Sequence, residues 1–217
     1  MQAVIEEANF RQQMEKYLSL LEYYSKTQNL VSKGDLARFW QHVEDSVSVI
    51  KYITCPSRIA DVGSGAGFPG IPLAVALPDC VFYLFELRRK RATFLKSCTE
   101  YLGLSNVHVI QGNSKTLGRK KPYAFSFDYC TARAVAPPPR VFTYMIPLLK
   151  PGALGIVMTT DRIASRIREL SYKQRKMLRE LTILANPTSL RDHGVVILFR
   201  PSEDTQVAIN GKSSDNY

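Results

Sequence analysis

The chain has no apolar run approaching the ~20 residues needed to span a bilayer, so no membrane contact is expected. Cysteine is sparse: Cys55, Cys80, Cys98 and Cys130 stand apart, with no C-x-x-C spacing. That pattern suggests neither zinc nor a disulfide framework, and no metal site is expected. Residues 1–10 carry Glu6, Glu7 and Asn9 where a secretory signal needs an apolar stretch, so none is expected. The expected setting is a reducing cytoplasm, and the expected state a monomer. No internal repeat occurs.

Acidic residues are the other shortage. Nineteen Asp and Glu face twenty-nine Lys and Arg, which leaves +10 and a pI near 9.5. Such a balance predicts attraction to a polyanion, weakening with salt. The cations are clustered at Arg88-Arg89-Lys90-Arg91, at Arg119-Lys120-Lys121 and over the Arg162–Arg179 segment. Nucleic acid is the substrate class that clustering favours, with a small anion as the other. The 217 residues, 45% hydrophobic and 22% charged, suffice for a sizeable core.

One stretch organises the rest: Ile59-Ala60-Asp61-Val62-Gly63-Ser64-Gly65-Ala66-Gly67-Phe68-Pro69-Gly70-Ile71-Pro72. An apolar strand ends at an acid, and a glycine turn leads into a helix. The glycines let a ligand lie against the backbone, and the helix start is expected to offer unpaired N–H groups. Read from Gly65, the spelling is G-x-G-x-x-G, the dinucleotide fingerprint. Read from Asp61, it is D-x-G-x-G-x-G, which resembles the first motif of class I methyltransferases that use S-adenosylmethionine (SAM). Val81–Glu86 is the next strand, and Glu86 ends it where a ribose would be held. Both ligands remain open on these residues, with SAM favoured.

The remaining chain alternates. An amphipathic helix is expected over about Ala3 to Lys26, with Phe10, Met14, Tyr17, Leu18, Leu21 and Tyr24 on one face. A second runs from about Asp35, as N-cap, to Ile53, and sets His42 and Asp45 side by side. Helices follow at about Ile71–Leu77, Leu87–Tyr101 (closed by Gly103) and Val141–Leu149. Strands are expected at Val107–Ile110, Phe125–Thr131, Leu154–Thr159 and Val195–Phe199. Gly112–Tyr123 reads as a loop, and Ile163–Leu181 as one long basic helix. The fold class is α/β: a doubly wound, mostly parallel Rossmann-like sheet with a small N-terminal helical extension. Residues 1–56 form the extension, 57–201 the class I domain, and 202–217 a polar disordered tail.

These residues together resemble the bacterial small-subunit rRNA guanine-N7 methyltransferases, also called glucose-inhibited division protein B. Asp61-Val62-Gly63-Ser64-Gly65-Ala66-Gly67-Phe68-Pro69-Gly70-Ile71-Pro72-Leu73 is similar to the family's first motif almost letter for letter. Asn29-Leu30, His42-x-x-Asp45-Ser46, Lys90-Arg91 with Phe94-Leu95, Thr131-Ala132-Arg133-Ala134, Leu148–Gly152 and Arg191-Asp192-His193 extend the likeness. The resemblance implies SAM as cofactor and methylation of one guanine N7 in the 530 loop of 16S rRNA. The partner it implies is the rRNA or the 30S subunit. Arg133, Lys90, His42 and Asp45 are then the candidate catalytic residues. Asp61, Gly63, Ser64, Gly65, Gly67, Phe68, Glu86, Asn113, Ser114 and Arg133 are the candidate cofactor contacts. Arg88, Arg89, Lys90 and Arg91 are the candidate RNA contacts. Asn113-Ser114-Lys115 departs from the family's Arg-Ala-Glu run, so a cation replaces a carboxylate on the adenine side. Methyltransferases of tRNA or small molecules, and a SAM-binding module without activity, are the alternatives.

Overall fold

The computed structural model describes residues 4–5, 7–28, 30–186, 194–205 and 209. Asn29 and Arg191-Asp192-His193 lie outside the described residues, as does most of 202–217. Within that segment Ser202 is held, its hydroxyl donating to the Lys176 carbonyl at 2.7 Å.

Seven strands form one sheet among the described residues, in the order β3-β2-β1-β4-β5-β7-β6. These are β1 (Arg58–Val62), β2 (Val81–Glu86), β3 (Val107–Gln111), β4 (Phe127–Arg133), β5 (Leu149–Thr160), β6 (Leu178–Ala185) and β7 (Gly194–Pro201). The first five are parallel; β7 runs antiparallel to β5, and β6 antiparallel to β7. β1 lies between β2 and β4, so the chain reverses its direction of travel there. Open α/β sheets bind ligands beyond the strand ends at that reversal.

Strand alternation divides the core. Ile59 of β1 joins one cluster while Ala60 and Val62 join the other. The first cluster receives α1 (Ala8–Gln28), α2 (Lys33–Ala37), α3 (Phe39–Val47), α4 (Gly70–Ala76) and α5 (Arg89–Leu102). Phe10, Met14, Tyr17 and Leu21 are the buried stripe of α1, at helical spacing. The second cluster receives α6 (Ser114–Leu117), α7 (Arg140–Met145), α8 (Asp161–Ala164) and a 3₁₀ turn at Ser165–Glu169. A short helix, α9 (Tyr172–Arg175), precedes β6. Among the described residues no helix is long and apolar enough to cross a membrane.

Four expectations are corrected. The helix drawn over 35–53 is two, split at Arg38, and Ser32 rather than Asp35 is the cap, accepting the Asp35 amide. The long basic helix over 163–181 does not form. Leu170 turns extended and Ser171 caps a new four-residue helix through a capping box with Gln174. Leu178–Ala185 is then taken as a strand, because β7, apolar on both faces, requires a ladder partner on its open side. Gly112–Tyr123 holds the short α6, capped by Asn113. Finally, Cys55 and Cys80 are joined in a disulfide. They are 25 residues apart, but Arg58 pairs with Val81, which brings the approaches to β1 and β2 together. Sequence spacing could not show that pairing.

Candidate functional site

The turn after β1 is built by its glycines and tied down by β2. Gly63, Gly65 and Gly67 take φ of 68°, 59° and 107°, which side chains with a Cβ resist. The amides of Gly63 and Ser64 donate to the Phe85 carbonyl at 2.8 and 3.2 Å. Glu86 is buried, and its carboxylate accepts the Gly65 amide at 2.9 Å and the Arg88 amide at 2.7 Å. The Ser64 hydroxyl turns inward and donates to the Asp61 carbonyl at 3.0 Å.

The helix after the turn offers less than the sequence suggests. α4 is seven residues long, the Ile71 amide is spent on the Gly67 carbonyl at 2.7 Å, and Pro72 has no amide. What lies under the turn is negative instead. Asp61 is fully buried; its Oδ1 accepts the Thr131 hydroxyl at 2.8 Å, while Oδ2 lies against the Gly70 backbone, whose amide draws on the carboxyl without forming a well-aligned hydrogen bond to it. Burial pushes this carboxyl up to about 6, against the pull of the Thr131 and Ser64 hydroxyls. An orphaned buried carboxylate oxygen calls for a donor or a cation.

One strand away, Arg133 gathers two residues that the sequence set on a separate helix. It is the last residue of β4, not beyond it. Its Nη1 donates to Asp45 Oδ2 at 3.0 Å and its Nη2 to His42 Nδ1 at 2.8 Å. A guanidinium can only donate, so His42 Nδ1 is the acceptor and the ring proton sits on Nε2, facing Asp35 Oδ1 at 3.5 Å. Burial and the Arg133 charge hold His42 down at about 4, hence neutral. The guanidinium also lies 5.1 Å over the Phe68 ring. Phe68 therefore packs between Arg133, His42, Tyr17 and Phe39 and joins the N-terminal helices to the site.

Other candidates are dispersed. Arg88, the N-cap of α5, and Arg89 and Lys90 in its first turn are exposed, on the β2 side of the crevice. Among the described residues Lys90 makes no ion pair, and it is not joined to the Arg133 group. Arg91 leans over the turn, its Nη1 3.6 Å from where a Cβ on Gly65 would stand. Asn113 spends its side chain on the Lys115 amide, Ser114 is buried, and Lys115 is exposed. A cavity of about 180 Å³ opens beyond the ends of β4 and β5, lined by Ala134, Val135, Met158, Thr159 and Ile163 among others.

Three supporting residues were missed. Tyr17 appeared only as one apolar position, yet its hydroxyl donates to the Ala66 carbonyl at 2.5 Å and pins the glycine turn to α1. Tyr17→Phe leaves that carbonyl unpaired and should cost about 1 kcal/mol, or some 2–4 °C in Tm by thermal melting. Thr131 supports Asp61 from β4. Asn186 donates to Asp45 Oδ1 at 2.9 Å from 141 residues away, with no local signal to reveal it.

Comparison with known proteins agrees with this geometry. The profile of the GidB family, described as rRNA small subunit methyltransferase G, matches residues 10–188. The ribosomal RNA small subunit methyltransferase G of Sorangium cellulosum is 32% identical over 191 residues, 86% of this chain and 77% of that protein. Its counterpart in Rubrobacter xylanophilus is 35% identical over 147 residues, 67% of this chain and 56% of that protein. The chain thus spans just over half the length of the second relative. Among solved structures, the O-methyltransferase TomG of Streptomyces achromogenes, in complex with SAM, superposes with a TM-score of 0.56 at 18% identity. That likeness covers 88% of this chain and 90% of TomG, and is one of fold. With its family profile matched over 179 residues, the chain belongs to the GidB family of rRNA small subunit methyltransferases.

Proposed function

We propose that the chain transfers a methyl group from SAM to N7 of a guanine in the 530 loop of 16S rRNA. The observation that carries the cofactor assignment is the buried Asp61 carboxylate beneath the glycine turn. A dinucleotide would lay a pyrophosphate at the start of α4. Here the amides of Gly65 and Ile71 are spent on Glu86 and Gly67, and the Asp61 carboxylate beneath the turn would repel the phosphates. A ligand with a cationic amino acid end suits the same place, with Asp61 Oδ2 as its acceptor. Glu86 retains acceptor capacity for ribose hydroxyls beside the turn. These residues fit SAM.

When bound, that cofactor supplies a methyl group already activated on a sulfonium. Guanine N7 carries an in-plane lone pair at neutral pH, so the protein has no proton to remove. The site agrees, because the Nδ1 lone pair of His42 is engaged by Arg133. What remains for the residues is orientation and the exclusion of water. Arg133, with its plane fixed by Asp45 and His42, is the group to hold guanine O6 or a phosphate. The apolar cavity beyond β4 and β5 supplies a dry wall beside it. Lys90 and its neighbours draw the RNA towards the crevice.

Asp61 gives the cofactor reading a pH signature. A cation against Oδ2 favours the ionised form and lowers its pKa. SAM affinity should therefore fall as pH drops below about 6, and binding near that pH should release protons. Titration calorimetry at pH 5.5–6 in two buffers of different ionisation enthalpy reads the released protons directly. Affinity flat from pH 5 to 7, with no proton release, would remove Asp61 from the site. Without ligand the sign is reversed. The folded chain binds this proton more tightly than the unfolded one, so the group costs stability as pH rises from about 4 to about 6.

The substrate is tested by offering labelled SAM with undermodified 30S subunits, naked 16S rRNA and bulk tRNA. Transfer to 30S subunits or 16S rRNA alone is the expected result. Transfer to tRNA alone would assign another RNA, and SAM binding without transfer to any of them would make the chain a binding module.

A further inference from the structure

Most of the chain's net positive charge lies in two segments on one face of the sheet. The face opposite α1 is crossed twice by chain that descends from the catalytic edge to the far edge. Residues 112–126 run from the end of β3 to the start of β4, and residues 161–177 from the end of β5 to the start of β6. The pairing of Thr160 with Gly194, and of Leu178 with Pro201, fixes the second descent. Leu117, Tyr123, Ala164, Ile167, Leu170 and Met177 anchor both segments on one apolar cluster, so they share a face.

Together these segments hold ten Lys and Arg and two acids, Asp161 and Glu169. Ten against two is a net +8, out of +10 for the whole chain. Lys115, Arg119, Lys120 and Lys121 belong to the first segment, the other six cations to the second, and all ten are exposed. Among the described residues only Arg166 of the ten forms an ion pair, with Glu169 at 3.1 Å. Tyr172 stands 74% exposed amid them, with Lys176 Nζ 4.7 Å from its ring centre.

We propose that this face binds the phosphate backbone of the rRNA flanking the target loop, while the loop itself enters the crevice at the strand ends. The inference rests on the reading of the chain as an rRNA methyltransferase. Unpaired exposed cations are what counterion release by a polyanion requires, and an exposed aromatic among them offers a stacking platform. The apolar side chains that a bilayer surface would need are spent on the core instead. The track extends from Lys115 and Arg162 near the catalytic edge to Lys173, Arg175 and Lys176 near the opposite one, roughly 25 Å for a strand of eight residues.

Two triple variants test it: Lys173→Gln/Arg175→Gln/Lys176→Gln, farthest from the glycine turn, and Arg119→Gln/Lys120→Gln/Lys121→Gln. Each is titrated against a 16S fragment holding the 530 loop with its flanking helices, and against the loop hairpin alone. Affinity for the long fragment should fall about tenfold or more at physiological salt, and its log–log salt slope by two to three. Hairpin affinity, SAM affinity and Tm should stay at wild-type values. Unchanged affinity and slope for the long fragment would overturn the proposal, as would equal losses on both RNAs. So would loss of binding to phosphatidylcholine–phosphatidylserine vesicles with RNA binding intact. A wild-type protein that methylates rRNA but binds the fragment no tighter than the hairpin would defeat this surface alone. Failure to methylate any rRNA would defeat the parent reading with it.

Discussion

Replacing Arg133 by alanine should lower the free energy of unfolding by about 1.5–3 kcal/mol, the worth of a hydrogen bond to a charged group. The pair is mostly shielded from solvent, with side-chain exposures of 15% for Arg133 and 10% for Asp45. For a chain of this length the melting temperature should drop by roughly 5 °C. Asp45→Ala in the Arg133→Ala background should cost less than in wild type, because the ion pair between them is already gone. The informative variant is Arg133→Lys. It keeps the charge and loses the fork that spans Asp45 and His42. Methyl transfer should fall between about 10- and 100-fold, matching the 1.5–3 kcal/mol of a charge-assisted hydrogen bond. SAM affinity should stay within about threefold. A folded Arg133→Lys protein with wild-type transfer would reduce Arg133 to a strut between β4 and α3.

Gly65→Val should abolish measurable SAM binding, by more than about 100-fold, in a protein that still folds. The φ of 59° strains any residue with a Cβ by about 1–2 kcal/mol, which the fold can bear. The new Cβ itself meets nothing nearer than Arg91 Nη1 at 3.6 Å and the Gly63 carbonyl at 3.7 Å. The space it fills is that above the turn, where the cofactor must lie against the backbone. Gly67→Ala separates the two effects. There a Cβ would stand 2.6 Å from the Tyr17 hydroxyl and 2.8 Å from Ile71, so stability should suffer first. Calorimetry giving unaltered SAM affinity in folded Gly65→Val would end the assignment of the turn as the cofactor cradle.

The parts legible in the sequence were those written locally. The turn, β2 with its terminal Glu86, and the glycine-closed α5 each depend on residues close in the chain. Their order alone placed Asp61 and Glu86 beside the turn. The long helix expected over 163–181 failed because apolar spacing cannot see that β7 needs a partner. The Arg133 group was legible only in pieces. His42 and Asp45 show as neighbours on a helix, but that β4 delivers a guanidinium between them is a matter of tertiary packing. Asn186 and the Cys55–Cys80 bond carry no local mark at all, since each joins segments that only the sheet order brings together.

The claim that one guanine N7 is the acceptor is tested most directly by locating the methyl group. Undermodified 30S subunits or naked 16S rRNA, incubated with the protein and SAM, are reduced with borohydride, cleaved with aniline and read by primer extension. N7-methylguanosine loses its base under that treatment, and the strand breaks where it stood. The account requires a single new break at a guanine of the 530 loop, absent without SAM and absent with folded Gly65→Val. Methyl incorporation with no such break, or breaks scattered over many guanines, would contradict it.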